Sequence, residues 1–240
     1  MSYKFQKKVV ETLAHFSRFA NSTVIYPGKA ICASSETRTV TAHSDLDVEL
    51  PDSVNAEIGL PIWDIRAFHS IIELFNGNGE YNAEFLEDRI VFKSDDGKFT
   101  QEYYLSDPSL LEGLVPKPEK VEKYLSMESI MNFDLCEDTL KTFEKGRKTS
   151  NSNSIGLRSQ DGEIILYSAD VDDQGNEAKN SSVFRFNTGV DTNQDFNIGF
   201  SREAFVVLPG DYSVRIYNKF IVFKGETISY VFALSNWSEI

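Results

Sequence analysis

The chain has 240 residues, 41% hydrophobic, 12% aromatic and 25% charged, with a net charge of −13. That composition excludes disorder as the expectation, and no stretch approaches the ~18 apolar residues of a membrane span. Two cysteines, Cys32 and Cys136, are too few for a disulfide framework and have no metal-like spacing, so both read as reduced packing residues.

Met1 to Lys8 is not followed by an apolar core of signal-peptide type, so a cytoplasmic protein is expected. Phe5 to Ala20 then reads as a helix. At 100° per residue, Phe5, Val9, Leu13, Phe16 and Ala20 fall within about 80° of one another, with Lys4, Lys7, Lys8, Glu11, His15 and Arg18 opposite. An ordinary solvated face explains such a helix on its own. The polar face is, however, nearly all cationic. Between Asn21 and Asp47 the alternating runs Thr23 to Tyr26 and Ala30 to Ser34, with a Pro27-Gly28 turn, predict two or three strands.

Ile58-Gly59-Leu60 precedes a second helix, whose Ile65, Phe68, Ile71, Ile72 and Phe75 share one face and whose Arg66, His69, Ser70 and Glu73 take the other. Asn76-Gly77-Asn78-Gly79 ends it. A meander follows: Tyr81, Ala83 and Phe85, then Ile90 to Lys93, a turn at Asp95-Asp96-Gly97, and Phe99 to Leu105. Ser106 to Ser126 carries Pro108, Gly113, Pro116 and Pro118 among charges and reads as an extended connector.

Beyond the connector the pattern recurs. Gly79 and Gly210, Tyr81 and Tyr212, and Ile90 and Ile221 are each 131 positions apart, which argues for duplication of a whole domain. Phe133 to Lys148 reads as the second opening helix, with Cys136, Leu140 and Phe143 on one side and the stripe Lys141, Lys145, Lys148 on another. Ser154 to Leu157 and Ile164 to Ser168 read as strands about an Asp161-Gly162 turn. Ile198-Gly199-Phe200 repeats Ile58-Gly59-Leu60, and Ser201 to Leu208 reads as a shortened second helix. In the last meander Tyr212, Val214 and Ile216 alternate with Ser213 and Arg215; the apolar runs at Ile221 to Phe223 and Ile228 to Leu234 follow. The domains expected are residues 1–113 and 127–240, joined by a connector at 114–126. Tyr3 to Phe19 and Thr139 to Lys148 each balance to +3, which leaves −19 on the remainder of a chain whose total is −13. Positive charge is therefore concentrated in the two opening helices on an acidic body.

Asp170, Asp172, Asp173 and Gly175 imitate a calcium loop, but Gln174 stands at position 5 and Ser181 at position 12, where a bidentate Glu is required. An acidic hairpin tip is the better reading. His15, His43 and His69 have no metal-ligand spacing, and two of them fall on polar helix faces. There is no nucleophile elbow, phosphate loop or dinucleotide fingerprint, so neither an enzyme nor a cofactor is expected.

Two similar α+β domains of antiparallel sheets with two helices each, basic helices and an acidic remainder resemble a DNA sliding clamp. Ser106-Asp107-Pro108-Ser109, Leu208-Pro209-Gly210-Asp211-Tyr212 and the ending Tyr230-Val231-Phe232-Ala233-Leu234 look like the polymerase clamps of tailed bacteriophages. The resemblance implies a homotrimeric ring in the host cytoplasm that tethers a replicative DNA polymerase as a processivity factor. It further implies an ATP-dependent clamp loader and admits a part in late transcription. Lys4, Lys7, Lys8, Arg18, Arg66, Lys141, Lys145 and Lys148 would face duplex DNA without reading its sequence. By position in the family's motif, Pro209, Val231, Ala233 and Leu234 would form a pocket for partner peptides, with Leu114, Val115 and Trp237 nearby; sheet core is the competing reading for Val231 and Ala233. Against the clamp stand a duplicated β-rich structural or virion assembly protein and, further back, a hydrolase built on Asp170, Asp172 and Asp173.

Overall fold

A computed structural model describes residues 3–77, 81–150, 152–179, 182–203 and 205–240. The landmark Gly79, Asn78, Asn180, Ser181 of the acidic loop and Ala204 lie outside the described residues. The chain divides into two compact units, Met1–Tyr124 and Leu125–Ile240.

In the first unit, α1 (Lys7–Phe16) buries Val9, Val10, Leu13 and Phe16. Phe5 and Ala20, expected inside this helix, flank it and are also buried. Strands β1 (Thr23–Tyr26), β2 (Ala30–Ser34), β3 (Val40–Ser44) and β4 (Leu60–Ile62) lie in the order β4-β1-β2-β3. They are buried almost throughout, as short continuous apolar runs require. Helix α2 (Ile65–Gly77) starts where the Asp64 carboxylate accepts from the Ala67 N–H at 2.9 Å. It buries Ile65, Phe68, Ile72 and Phe75. A three-stranded sheet, β5 (Tyr81–Phe85), β6 (Arg89–Ser94) and β7 (Thr100–Tyr104), completes the unit. Its core is aromatic: Phe68 stands 4.8 Å from Tyr103 and 5.4 Å from Phe5, and Phe75 stands 5.6 Å from Phe92, ring centre to ring centre.

The segment expected to be an extended connector is largely helical. It forms α3 (Pro108–Leu111) and α4 (Pro118–Ser126), and the boundary between the units falls in the last turn of α4. Two of the prolines that argued against a strand are the reason: Pro108 and Pro118 each open a helix, where the missing N–H costs nothing. Asp107 caps the first by accepting from Ser109 N–H at 2.8 Å.

In the second unit the expected helix Phe133 to Lys148 is a strand followed by a helix, β8 (Met131–Leu135) and α5 (Glu137–Arg147). Met131, Phe133 and Leu135 alternate with Asn132 and Asp134, a period of two that pairs β8 with β13 (Tyr212–Ile216) in register Val214↔Phe133. Cys136 becomes the residue preceding the helix and is exposed, not packed beside Leu140 and Phe143. Strands β9 (Ser154–Gln160), β10 (Glu163–Ala169), β11 (Phe184–Asp191) and β12 (Asn197–Ser201) form a sheet in the order β11-β10-β9-β12. Of Ser201 to Leu208, expected to be helical, Ser201 ends β12 and the other described residues are turn and irregular backbone. Its place in the core is taken by Phe205, 5.6 Å from Phe200 and 5.7 Å from Phe223.

The closing meander adds β14 (Phe220–Lys224) and β15 (Ile228–Ala233), with β15-β14-β13-β8 in succession. Asn82 pairs with Lys93 and Ser213 with Lys224, so both partners of the first hairpin move by the same 131 positions between the copies. At the next pairing Ile90↔Tyr103 becomes Ile221↔Phe232, an offset of 129 for the last strand. The second turn is two residues shorter, and the sheet register survives because two residues restore the facing of every side chain.

Candidate nucleic-acid interface

On α1 the side chains Lys7 and Lys8 are exposed, as are Lys4 just before the helix and Arg18 in the turn that follows it. Lys7 lies 3.6 Å from Glu11 at i, i+4, with its side chain 89% exposed. Lys7 and Lys8 occupy the first turn, which contains no acid and has no side-chain cap. The helix dipole penalises cations there, so helix stability does not account for their position. His15, expected on the polar face, is instead 4% exposed, beside the rings of Phe16 and Phe19. Burial, reinforced by the neighbouring Arg18 charge, pushes its imidazole down to about 4. Arg66 is exposed on α2, and its Nε donates to the Ser17 carbonyl at 3.0 Å, fastening it to the C-terminal end of α1. Thus one guanidinium both caps α1 and extends its cationic face.

On α5 the charges follow the dipole: Glu137 and Asp138 in the first turn, Lys145 and Arg147 in the last. Leu140 and Phe143 are buried, with Phe143 centred 5.8 Å from Phe184 on β11. Gly146 lets this strand approach, since a Cβ there would lie 2.0 Å from the Phe184 ring. Lys141, Lys145 and Lys148 are all exposed. The Lys141 ammonium meets Glu137 at 2.8 Å, a hydrogen bond that raises its proton affinity. Lys145 and Lys148 have no ion-pair partner among the described residues. Sequence reading counts Arg147 in the charge of this helix but gives it no role; its side chain is 13% exposed and binds Glu144 through both carboxylate oxygens, at 2.7 and 2.9 Å. The i, i+3 spacing of Glu144 and Arg147 was the available signal.

Of the residues assigned to a peptide pocket, Val231 and Ala233 share one face of β15 in the second unit. Tyr230 and Phe232 point into the core, whereas Val231 is half-buried and Ala233 exposed on the opposite side of β15. The alternation of a strand requires this, and it removes Val231 and Ala233 from the core. Leu234 is half-buried, its N–H donating to Lys219 O at 3.0 Å, and Pro209 is exposed. Tyr212 Oη donates to Leu208 O at 2.8 Å and so fixes the turn carrying Pro209. Val115 belongs to the core of the first unit, with Val24, Tyr26, Ala30, Cys32 and Leu111, while Leu114 is exposed. The Trp237 ring covers Gly199 and Gly175, where added Cβ atoms would lie 2.1 and 2.6 Å from it. Trp237 is therefore committed to covering β12.

In the acidic loop, Asp172 accepts from the Gln174 and Asn176 N–H groups, each at 2.9 Å, which holds its carboxylate below the usual range. These carboxylate bonds turn inward on the loop's own backbone. No group of acids, histidines and cysteines among the described residues is placed to hold a metal ion, and no helix among them is long and apolar enough to cross a membrane.

Residues 132–236 match the family described as gp45 sliding clamp, C terminal. No curated protein matches the chain by sequence. Among solved structures, DNA polymerase III subunit beta from Borrelia burgdorferi, in complex with a natural product, is similar with a TM-score of 0.71 at 10% identity, over 98% of this chain and 65% of that one. The DNA polymerase III beta chain from Streptococcus pneumoniae gives 0.65 at 12% identity, over 95% of this chain and 62% of that one. The Helicobacter pylori beta clamp bound to a DNA ligase peptide gives 0.62 at 14%, over 95% and 63%. This chain spans less than two thirds of the length of each.

Proposed function

Because the chain has the sliding-clamp fold, and its residues 132–236 carry the C-terminal domain of the gp45 sliding-clamp family, we propose that it encircles duplex DNA and tethers a replicative polymerase to it. The observation that carries this reading is the exposed cationic surface on the opening helix of each unit, within a chain of net charge −13. Lys4, Lys7, Lys8, Arg18 and Arg66 in the first unit, and Lys141, Lys145 and Lys148 in the second, face phosphates. Such contacts attract any sequence and hold none in a deep well. The acidic remainder repels DNA elsewhere.

A ring needs a contact that closes head to tail. β7 and β11 are edge strands, one in each unit; joining β7 of one copy to β11 of the next continues both sheets, and three copies complete the ring. Pro209, Val231, Ala233 and Leu234 offer a small apolar surface to a partner peptide, which the peptide-bound state of the Helicobacter pylori clamp supports. The partners are a bacteriophage replicative polymerase, an ATP-dependent loader and, in the same host cytoplasm, late transcription factors. The protein itself turns over no substrate. Nothing in the fold favours a virion structural protein.

The test is retention on DNA by size exclusion. Loaded protein stays on nicked circular DNA and is lost within minutes once the circle is cut. Equal retention on circle and linear DNA would refute encirclement.

A further inference from the structure

The cationic face of α5 contains an acid that should spoil it. At 100° per residue Glu144 lies about 40° from Lys148, and the pair is i, i+4 with Glu on the N-terminal side, the favoured arrangement for an ion pair. The pair does not form. Glu144 is held instead by the Arg147 fork, Nε to Oε1 at 2.7 Å and Nη2 to Oε2 at 2.9 Å. Arg147 is itself fixed, because Nη2 also donates to Phe205 O at 3.1 Å and the guanidinium stands 5.6 Å over the Phe205 ring. A bidentate fork outcompetes a single flexible ammonium for a carboxylate.

We propose that Arg147 is a positioning residue for DNA contact: by sequestering Glu144 it leaves Lys148 unpaired for phosphate. The proposal rests on the sliding-clamp reading. When Arg147 is lost, Glu144 turns to Lys148, and one cation of the stripe no longer releases a counterion on binding. The half-buried site on Phe205 keeps Arg147 off the DNA face itself, so its effect on DNA is indirect.

Assembled protein is titrated with a fluorescent duplex of roughly 30 base pairs over a range of salt, with light scattering in parallel. Arg147→Met should bind about threefold or more weakly, with the slope of log affinity against log salt reduced by about 0.9. Arg147→Met with Glu144→Gln should return within about twofold of the parent. Wild-type affinity and slope in Arg147→Met, or no rescue in the double variant, would overturn the proposal; failed rescue would make Arg147 merely structural. Glu144→Gln alone gives a reading independent of the folding of Arg147→Met. Labelling of Lys148 by an amine-reactive probe, read by mass spectrometry, should match the parent; a rise would show that Glu144 already shields Lys148 and would overturn the idea. Lys145→Glu with Lys148→Glu separates the two levels: undiminished DNA binding in that variant sinks the clamp reading, and this proposal with it.

Discussion

Lys8 is exposed in the first turn of α1, where the dipole disfavours it and no ion-pair partner among the described residues offsets the cost. A residue kept at a local energetic loss is one whose gain lies elsewhere. Lys8→Glu is therefore expected to move two measurements in opposite directions. Urea unfolding should show a gain of about 0.3–1 kcal/mol, and DNA affinity should fall. Joint loss of both would mean that Lys8 is a stability residue. His15 makes a second case at this scale. Its imidazole is lowered to about 4 in the folded protein from an ordinary 6.5, so between those values the unfolded chain binds a proton that the folded one refuses. Its contribution is present above pH 6.5 and lost as pH falls toward 4. Between pH 7.5 and pH 5 this amounts to about 2 kcal/mol. His15→Gln should flatten the pH dependence of urea unfolding by that much; superimposable curves for the two proteins would contradict it.

Among elements, β15 divides core side chains from those proposed to meet a partner peptide most sharply. Tyr230 and Phe232 build the core with Phe200, Phe205 and Phe223, while Val231, Ala233 and Leu234 are left on the other side or at the strand end. Charging Pro209 and Leu234 together, as Pro209→Glu and Leu234→Lys, should cost little stability, since neither is a core residue. It should abolish stimulation of polymerase synthesis on primed circular DNA. Full stimulation by this variant would take the peptide surface off these residues. The helices show the converse. α1 and α5 each spend one face on phenylalanine and leucine packing, and both leave the opposite face cationic, although only α5 is charged in the sense its dipole prefers.

For the whole molecule the state expected from the proposed clamp function is three chains, with the β7 edge of one copy joined head to tail to the β11 edge of the next. Light scattering should give about three times 27.2 kDa, falling to the single-chain value when the β11 edge is blocked, for instance by Phe186→Pro. A monomer at high concentration with DNA retention intact would exclude the ring. Salt should weaken contact with the duplex without opening the assembly, since the first depends on screened charge and the second on backbone pairing and burial.

The residue order by itself determined the duplication, the two meanders with their shared 131-position offset, the first two helices and the strands flanking Asp161-Gly162, because each rests on a local period or a turn that neighbouring residues specify. It also marked the cationic faces, since exposed charge on one side of a helix is a local property. Tertiary structure decided what depends on distant partners. Met131 to Leu135 is a strand because β13 lies ready to pair with it. Ser201 to Leu208 gives up its helix where Phe205 fills the core. His15 is drawn inside by aromatic neighbours, and Arg147 takes Glu144 from Lys148 because Phe205 holds it in place. In each of these, a contact made across the fold outweighs a preference of a few tenths of a kcal/mol in the local chain.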